Sequence, residues 1–202
     1  MYYQSIATRE VDYLSIRDYI WRWDTDWFWC SKQFGLHRRV LRFCATPWLL
    51  NSRTYQRIMR LSQRVLSEGV ATESVIQDVD IPIARAPDFL RFLLAEVGIT
   101  PIWICPFRAI GSWPLYELKP GLYINFGFWD VVPTSHEPGH FNRKIEAKVL
   151  AFGGKKGLYS SVWYDEDTFW QIYNGGCYDE LKRKYDPEGF FSDLYVKCVA
   201  RQ

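Results

Sequence analysis

The alternation of apolar and polar positions in the middle of the chain predicts a sheet and a first helix. Residues 74–81 alternate in the manner of a strand. Pro87 then opens a segment with apolar residues at helical spacing, and Gly98 suits its left-handed cap. We expect residues 99–107 and 121–128 to form the second and third strands.

The pattern continues with a second helix and a fourth strand. Residues 141–152 carry Ile145 and Val149 on one side, which indicates a helix. Residues 157–164 are apolar and aromatic and predict the fourth strand. The order β-α-β-β-α-β predicts an α+β fold of the ferredoxin-like type, with an antiparallel sheet and both helices on one face. The other face needs a cover, or it is a binding surface.

The two ends of the chain add helical segments to this sheet. Asp165 is expected to cap a short helix, and a further helix is expected to run through residues 181–184. The first seventy residues are helical and aromatic in character. We therefore expect an aromatic, helical extension over residues 1–70 and an α+β domain over residues 71–202.

Composition narrows the classes of protein that this chain can belong to. Of its 202 residues, 48% are hydrophobic and 18% aromatic, which is enough for a substantial core. A formal charge of +2 gives no support to a nucleic-acid-binding surface, so no nucleic-acid partner is expected. The five cysteines are odd in number and lack paired CxxC spacing. They indicate reduced thiols in a cytoplasmic protein and no metal site.

Residues 17–30 are the most unusual segment, since four tryptophans alternate there with arginines and aspartates. Such a composition suits the wall of an aromatic cavity, with Arg17 and Arg22 paired to aspartates. An aromatic core segment with surface ion pairs is an equally weighted alternative. No apolar run is long enough to span a bilayer. Tryptophans next to arginines also occur at membrane interfaces, so peripheral contact with a membrane stays open.

Local motifs give little direct information about chemistry. The chain has no glycine-rich nucleotide loop, zinc-protease motif or nucleophile elbow. His136 and His140 lie near each other, but a hydrogen-bonded histidine in a loop is a more common role than metal ligation, and His140 could also face a cavity at the start of the second helix. Arg108 ends a predicted strand, where its guanidinium could hold a carboxylate, a phosphate or a flavin oxygen. An ion pair with Glu117 or Asp130 is the equal alternative.

The segment PIWICPFR at residues 101–108 resembles the C-terminal half of Δ24-sterol reductases, which are FAD-binding flavoproteins of the vanillyl-alcohol-oxidase superfamily. Matching positions follow in order along nearly the whole chain. They are Leu122–Gly127, His140–Phe141, Leu158–Tyr159, Tyr164, Phe169–Trp170, Tyr178, Leu181–Lys182, Leu194–Tyr195 and Lys197–Cys198. The opening segment also fits at Arg17, Tyr19, Arg22, Phe28 and Trp29.

This resemblance implies that residues 71–202 are the cap, or substrate, domain of an FAD-dependent oxidoreductase. In that family an N-terminal domain binds FAD, NADPH reduces it, and the flavin passes a hydride to an isolated carbon–carbon double bond. We expect that FAD-binding domain to be absent from this chain. The chain would then be one product of a split gene or a truncated remnant of a longer protein. Asn142 and Val196 replace a glutamate and an aspartate of the family. A sterol-like substrate is therefore one option among apolar small molecules.

The resemblance also implies which residues form the site. As catalytic groups it implies Arg108, His140 and Tyr164, and as groups facing substrate or flavin it implies Arg17, Tyr19, Arg22, Asn125, Tyr159 and Tyr195. We expect several of them to line one cavity, with FAD held mainly by a missing domain or a partner polypeptide. The chain alone is then expected to be inactive. The alternative is a non-catalytic interaction or lipid-binding module that was left after loss of the flavin domain.

Overall fold

The structure is a computed structural model, and it describes residues 8–21, 38–44, 51, 53–54, 57–58, 71–111 and 113–199. Contacts within the chain divide it into two units, Met1–Gly69 and Val70–Gln202.

Two short helices are described in the first unit. Helix α1 covers Ile16–Ile20 and helix α2 covers Arg39–Cys44. Ser15 caps α1, since its Oγ accepts a hydrogen bond from the Asp18 backbone N–H at 3.1 Å and donates to Asp18 Oδ2 at 2.7 Å. The cavity wall predicted over residues 17–30 lies outside the described residues from residue 22 onward.

The second unit is built on a four-stranded antiparallel sheet. Its strands are β1 (Thr72–Pro82), β2 (Trp103–Ala109), β3 (Gly121–Pro133) and β4 (Lys155–Lys156). The strand order is β2-β3-β1-β4, and β1 and β3 pair along all of β1. This confirms the predicted α+β class and the antiparallel sheet.

Both predicted helices pack on the same face of this sheet. Helix α3 covers Ala86–Phe92 and continues as a π-helical turn over Leu93–Val97, which Gly98 ends with φ 74°. Helix α4 covers His140–Ala151. The two helices share one apolar core with alternate residues of the central strands. The fully buried members of this core are Val75, Val79, Ile81, Phe89, Leu93, Phe128, Ile145 and Val149.

The fourth strand differs from the prediction. Residues 157–164 form an irregular connection, and the strand is instead the pair Lys155–Lys156, which lies opposite Val79 and Asp80 of β1. The apolar residues of the connection are buried against the C-terminal helices, so they pack without joining the sheet. The buried members of this second core cluster are Val162, Tyr164, Phe169 and Tyr173, with Tyr116, Leu158 and Tyr195 packed against them.

Three helices complete the second unit. They are α5 (Glu166–Ile172), α6 (Gly175–Tyr185) and α7 (Leu194–Cys198). A side-chain oxygen caps each of them, from Asp165, Asn174 and Asp193 respectively. The predicted cap at Asp165 is confirmed, and the predicted helix at residues 181–184 extends over the whole of α6.

The two edges of the sheet differ in how they are covered. Strand β2 is an outer strand of the described sheet and contains Pro106. On the other side, β4 pairs with β1 only at Val79 and Asp80, so β4 does not cover the edge of β1 at Ser74 and Ile76. Among the described residues, no helix is long and apolar enough to cross a bilayer.

Candidate functional site

The face of the sheet opposite α3 and α4 is the candidate site, and we call it the open face. Because side chains alternate along strands and directly paired residues share a face, the register fixes its members. They are Ser74, Ile76, Asp78 and Asp80 of β1, Trp103, Cys105 and Phe107 of β2, and Tyr123, Asn125, Gly127, Trp129 and Val131 of β3.

Large apolar side chains on the open face are exposed. Trp103 is 52% exposed, Val131 46% and Ile76 41%. Phe107 stacks on Tyr123 with ring centroids 5.7 Å apart, so part of the aromatic surface is already ordered. Exposed apolar groups gathered on one sheet face are typical of a surface that binds a ligand or another domain.

A group of polar side chains lies in the middle of the open face, and we call it the polar centre. Asn125 Nδ2 donates to Asp80 Oδ1 at 2.9 Å and also to Asp78 Oδ1. The Tyr116 hydroxyl donates to Asp80 Oδ2 at 2.9 Å. Burial raises the pKa of the Asp80 carboxyl, and these two hydrogen bonds oppose the shift. Asp80 therefore holds its proton to a higher pH than an ordinary aspartate.

The substitution Asp80→Asn is expected to stabilise the protein at neutral pH. The unfolded chain releases the Asp80 proton near pH 3.8, and the folded chain does so only at higher pH. Between these two pKa values the unfolded state binds fewer protons, so wild-type stability falls as pH rises through that window. Asparagine removes this pH-dependent loss and keeps an oxygen that accepts from Tyr116, but its NH2 group replaces the oxygen that accepts from Asn125, so the gain is smaller than the full loss that it removes.

Urea unfolding of both proteins between pH 3 and pH 8 checks this expectation. The stability difference between Asp80→Asn and wild type should grow through the window, then stay constant above the folded pKa. A difference that shrinks as pH rises would contradict the raised pKa of Asp80.

One end of the open face is closed by residues of the C-terminal part. Lys155 pairs with Asp80 across β4 and β1, and its Nζ donates to the Ile172 carbonyl oxygen at 2.8 Å. The same ammonium lies 5.4 Å from the Tyr116 ring centroid and 5.7 Å from that of Tyr173. Access to the polar centre is therefore from the Asp78 side.

The structure brings two of the predicted site residues toward the polar centre. Asn125 belongs to it directly. Tyr159, which is 60% exposed, lies close enough to Asp78 for that carboxylate, together with burial as the larger cause, to raise the pKa of Tyr159 to about 12. Both residues were identified through the resemblance, and their functional roles stay predictions.

Four other predicted residues lie elsewhere in the second unit. Arg108 is exposed on the opposite side of β2 from Phe107 and Cys105, and no ion pair joins it to Glu117 or Asp130 in the described part of the chain. His140 begins α4 and stacks on His136 with ring centroids 3.9 Å apart. These positions do not form one cavity with Asn125.

Tyr164 and Tyr195 belong to the second core cluster. Tyr164 is 7% exposed, and its hydroxyl has no hydrogen-bond partner among the described residues. Burial, with Glu146 nearby, raises the pKa of Tyr164. Tyr195 packs edge-on against Phe169 at 5.3 Å between ring centroids. The surroundings of both rings are those of core packing.

The remaining predicted residues belong to the first unit. Arg17 and Tyr19 are exposed on α1, and Arg22 lies outside the described residues. That they join the site of the second unit stays a prediction.

Sequence reasoning missed several residues of the open face. Asp78 and Asp80 alternate with buried Val79 within the predicted strand, so the alternation itself could have assigned them to the open face. Trp103 could have been assigned in the same way. Tyr116 comes from the connection between β2 and β3, and no local pattern indicates its contact with Asp80.

Four helix N-termini of the second unit, those of α4 to α7, offer little to a phosphate group, whereas α3 has no side-chain cap. At α4 the backbone N–H groups of Phe141 and Asn142 donate to the Glu73 carboxylate at 3.1 and 2.9 Å. Side chains of the chain itself also occupy the N-termini of α5, α6 and α7. A pyrophosphate at these four positions would have to displace a cap, and at three of them the cap is a carboxylate. Within the described residues, no group of three or more His, Cys, Asp or Glu side chains is placed to hold a metal ion.

Comparison with known proteins gives one consistent result. No protein-family model and no solved structure matches the chain. The human Delta(24)-sterol reductase is 25% identical over 199 residues, which cover 94% of this chain and 38% of that protein. The Arabidopsis thaliana enzyme is 24% identical over 93% of this chain and 37% of its own length, and the Caenorhabditis elegans homolog is 23% identical over 93% and 36%. The chain is thus similar to Delta(24)-sterol reductases at low identity and spans a little over a third of their length.

Proposed function

We propose that this chain is the cap, or substrate, domain of an FAD-dependent oxidoreductase that resembles Delta(24)-sterol reductase. It would act in hydride transfer between a flavin and a carbon–carbon double bond or an alcohol of an apolar substrate. The observation that carries this proposal is the open face, because it combines exposed aromatic and aliphatic groups with a polar centre. The similarity to the reductases supports it.

The described residues suit the isoalloxazine ring of FAD better than its pyrophosphate. Flat aromatic side chains such as Trp103 and Trp129 can pack against an isoalloxazine ring or an apolar substrate. The N-termini of α4 to α7 are occupied by side-chain caps, so a pyrophosphate would have to displace a cap at each of these four helices. We therefore assign the main FAD contacts to a separate domain or polypeptide, with NADPH as the reductant.

The residues of this chain would act by binding, orientation and exclusion of water. The apolar groups of the open face would cover the reacting atoms, which excludes water and strengthens electrostatic interactions. Asn125 is held in a fixed orientation by its bonds to Asp78 and Asp80, so it can orient a polar group of the ligand. Bound flavin supplies the hydride chemistry itself.

Titration of the purified chain with FAD, followed by flavin fluorescence, tests this division of roles. We expect weak binding by the chain alone and no oxidation of NADPH. Addition of the flavin-binding domain, as part of the same protein or as a separate polypeptide, should produce a complex and turnover. Tight stoichiometric FAD binding by the chain alone, or NADPH oxidation without a partner, would overturn the proposal.

The open face is also open to a direct mutational test. Trp103→Ala is expected to weaken docking of the flavin-binding polypeptide roughly tenfold, because a half-exposed tryptophan at the centre of an interface contributes more than about 1 kcal/mol. Trp113→Ala is the control, since Trp113 is 69% exposed and belongs to the connection before β3. Sedimentation or titration calorimetry measures both. Equal effects of the two substitutions would argue against docking on the open face.

A further inference from the structure

A cavity of about 520 Å³ lies at the uncovered edge of β1, and we call it the edge cavity. Strand β4 pairs with β1 only at Asp80 and Val79, and the cavity begins three residues before Val79, at Ile76, and continues to Ser74. The connection after β4, helix α7 and Asn142 of α4 supply its other walls. Its volume is within the range of small-molecule sites in proteins.

Part of the wall of the edge cavity is apolar. Ile76, Leu158 and Cys198 line it. Burial raises the pKa of the Cys198 thiol, so this group is neutral near pH 7 and behaves as a small apolar side chain. These three residues favour a ligand that carries a short hydrocarbon portion.

The polar part of the wall has one cation and an unsatisfied hydroxyl. Lys197 is exposed at the rim, and no carboxylate of the described residues forms an ion pair with it. Ser160 also lines the cavity, while its Oγ is buried and has no hydrogen-bond partner among the described residues. A buried hydroxyl without a hydrogen-bond partner lowers stability. Rotation of the Ser160 side chain about χ1 would turn this hydroxyl toward a ligand in the cavity.

The position of Lys197 has a simpler explanation that covers only part of these observations. A cation in the last turn of α7 is favourable for the helix dipole. That effect does not account for the cavity or for the unsatisfied Ser160 hydroxyl on its wall.

We propose that the edge cavity binds a small amphipathic carboxylate. The carboxylate accepts hydrogen bonds from the Lys197 ammonium and the Ser160 hydroxyl, and a short aliphatic chain contacts Ile76, Leu158 and Cys198. One ammonium matches one negative charge, which favours a carboxylate over a phosphate dianion. The proposal does not rest on FAD binding or on the open-face function proposed above, although the cavity shares Ser74 and Ile76 with the open face and is also lined by Tyr159.

Titration calorimetry of the purified chain with octanoate, octanol and inorganic phosphate tests the proposal. Octanoate should bind saturably at one site, and the other two probes roughly tenfold more weakly or worse, because each lacks either the charge or the chain. Lys197→Gln and Ser160→Ala should each weaken octanoate binding. Lys184→Gln, which removes a lysine on α6 outside the cavity, should leave binding unchanged.

Three results would overturn the proposal: no saturable binding of octanoate, equal binding of octanol, or an equal loss in Lys184→Gln and Lys197→Gln. Circular dichroism checks that each variant is folded. If a cavity variant fails to fold, Ser74→Tyr decides the matter. It places a large side chain at an exposed strand position on the cavity wall, and octanoate binding should then be lost.

Discussion

Glu146→Ala is expected to lower the free energy of unfolding by about 3–5 kcal/mol, because it leaves a buried ammonium without its counter-ion. Lys156 is 0% exposed and Glu146 is 2% exposed. Their Nζ and Oε1 atoms are 2.6 Å apart. Removal of one partner leaves the full desolvation cost of the other in the core.

The loss should extend beyond the ion pair itself. Lys156 Nζ also donates to the Ser161 carbonyl oxygen, and the Glu146 carboxylate accepts from the Trp163 backbone N–H at 3.1 Å. The pair thus joins α4, β4 and the irregular connection after β4. Burial raises the pKa of Glu146 and lowers that of Lys156, against their mutual attraction.

An exposed pair that also involves α4 provides the control. Lys144 and Glu96 are 39% and 48% exposed, so Glu96→Ala should cost far less stability than Glu146→Ala. The double variant Glu146→Leu, Lys156→Met should recover part of the loss, since it leaves no buried charge, although the Ser161 carbonyl and the Trp163 N–H still lose their partners. Chemical denaturation measures all three variants. A loss in Glu146→Ala no larger than that in Glu96→Ala would contradict a buried, structural role for the pair.

Gly154→Ala is expected to destabilise the protein by about 1–3 kcal/mol, because a methyl group there meets a backbone carbonyl oxygen of the central strand and a buried isoleucine side chain. A Cβ on Gly154 would lie 2.5 Å from the Asp80 carbonyl oxygen and 2.8 Å from Ile81 Cδ1. Asp80 belongs to the central strand β1, so relief of the clash requires β1 and the start of β4 to separate. The polar centre of the open face would shift with them.

Two other glycine substitutions separate this clash from other effects. Gly153 has φ 67° and open space around its Cβ position, so Gly153→Ala should cost only about 1–2 kcal/mol of backbone strain. Gly176 is the second residue of α6 and has open space beside the helix at its Cβ position, so Gly176→Ala should stabilise the protein by about 0.4–1 kcal/mol, chiefly by restricting the unfolded chain. Thermal unfolding ranks the stabilities of the three variants. If Gly154→Ala left the stability unchanged, the start of β4 would have to lie too far from β1 for the added methyl group to clash.

The sequence predicts the central elements well because their signals are local. Ile145 and Val149 mark the buried side of α4, and Gly98 marks the end of the helical segment before β2. The fourth strand could not be located in this way. Lys155–Lys156 has no strand-like composition, and its burial depends on Glu146, which only the tertiary structure brings into contact with Lys156.

For the candidate site, too, local sequence signals predict some features, and only tertiary contacts show the others. Alternation along β1 and β3 is sufficient to place Asp80 and Asn125 on one face, although only their register shows that they are direct neighbours. Tyr164 has the aromatic and polar character of a site residue in the sequence, yet its 7% exposure places it within a core. Residue type alone does not distinguish a ring that lines a cavity from a ring that fills one.

Pro106 has a consequence for behaviour at high concentration. It lies in β2, an outer strand of the described sheet. Proline has no backbone N–H, so it interrupts the row of donors that an added strand from a second molecule would need. The apolar groups of the neighbouring open face would otherwise favour stacking of chains into fibrils. Pro106 thus acts against polymerisation, and its replacement by valine would be expected to raise the tendency to aggregate.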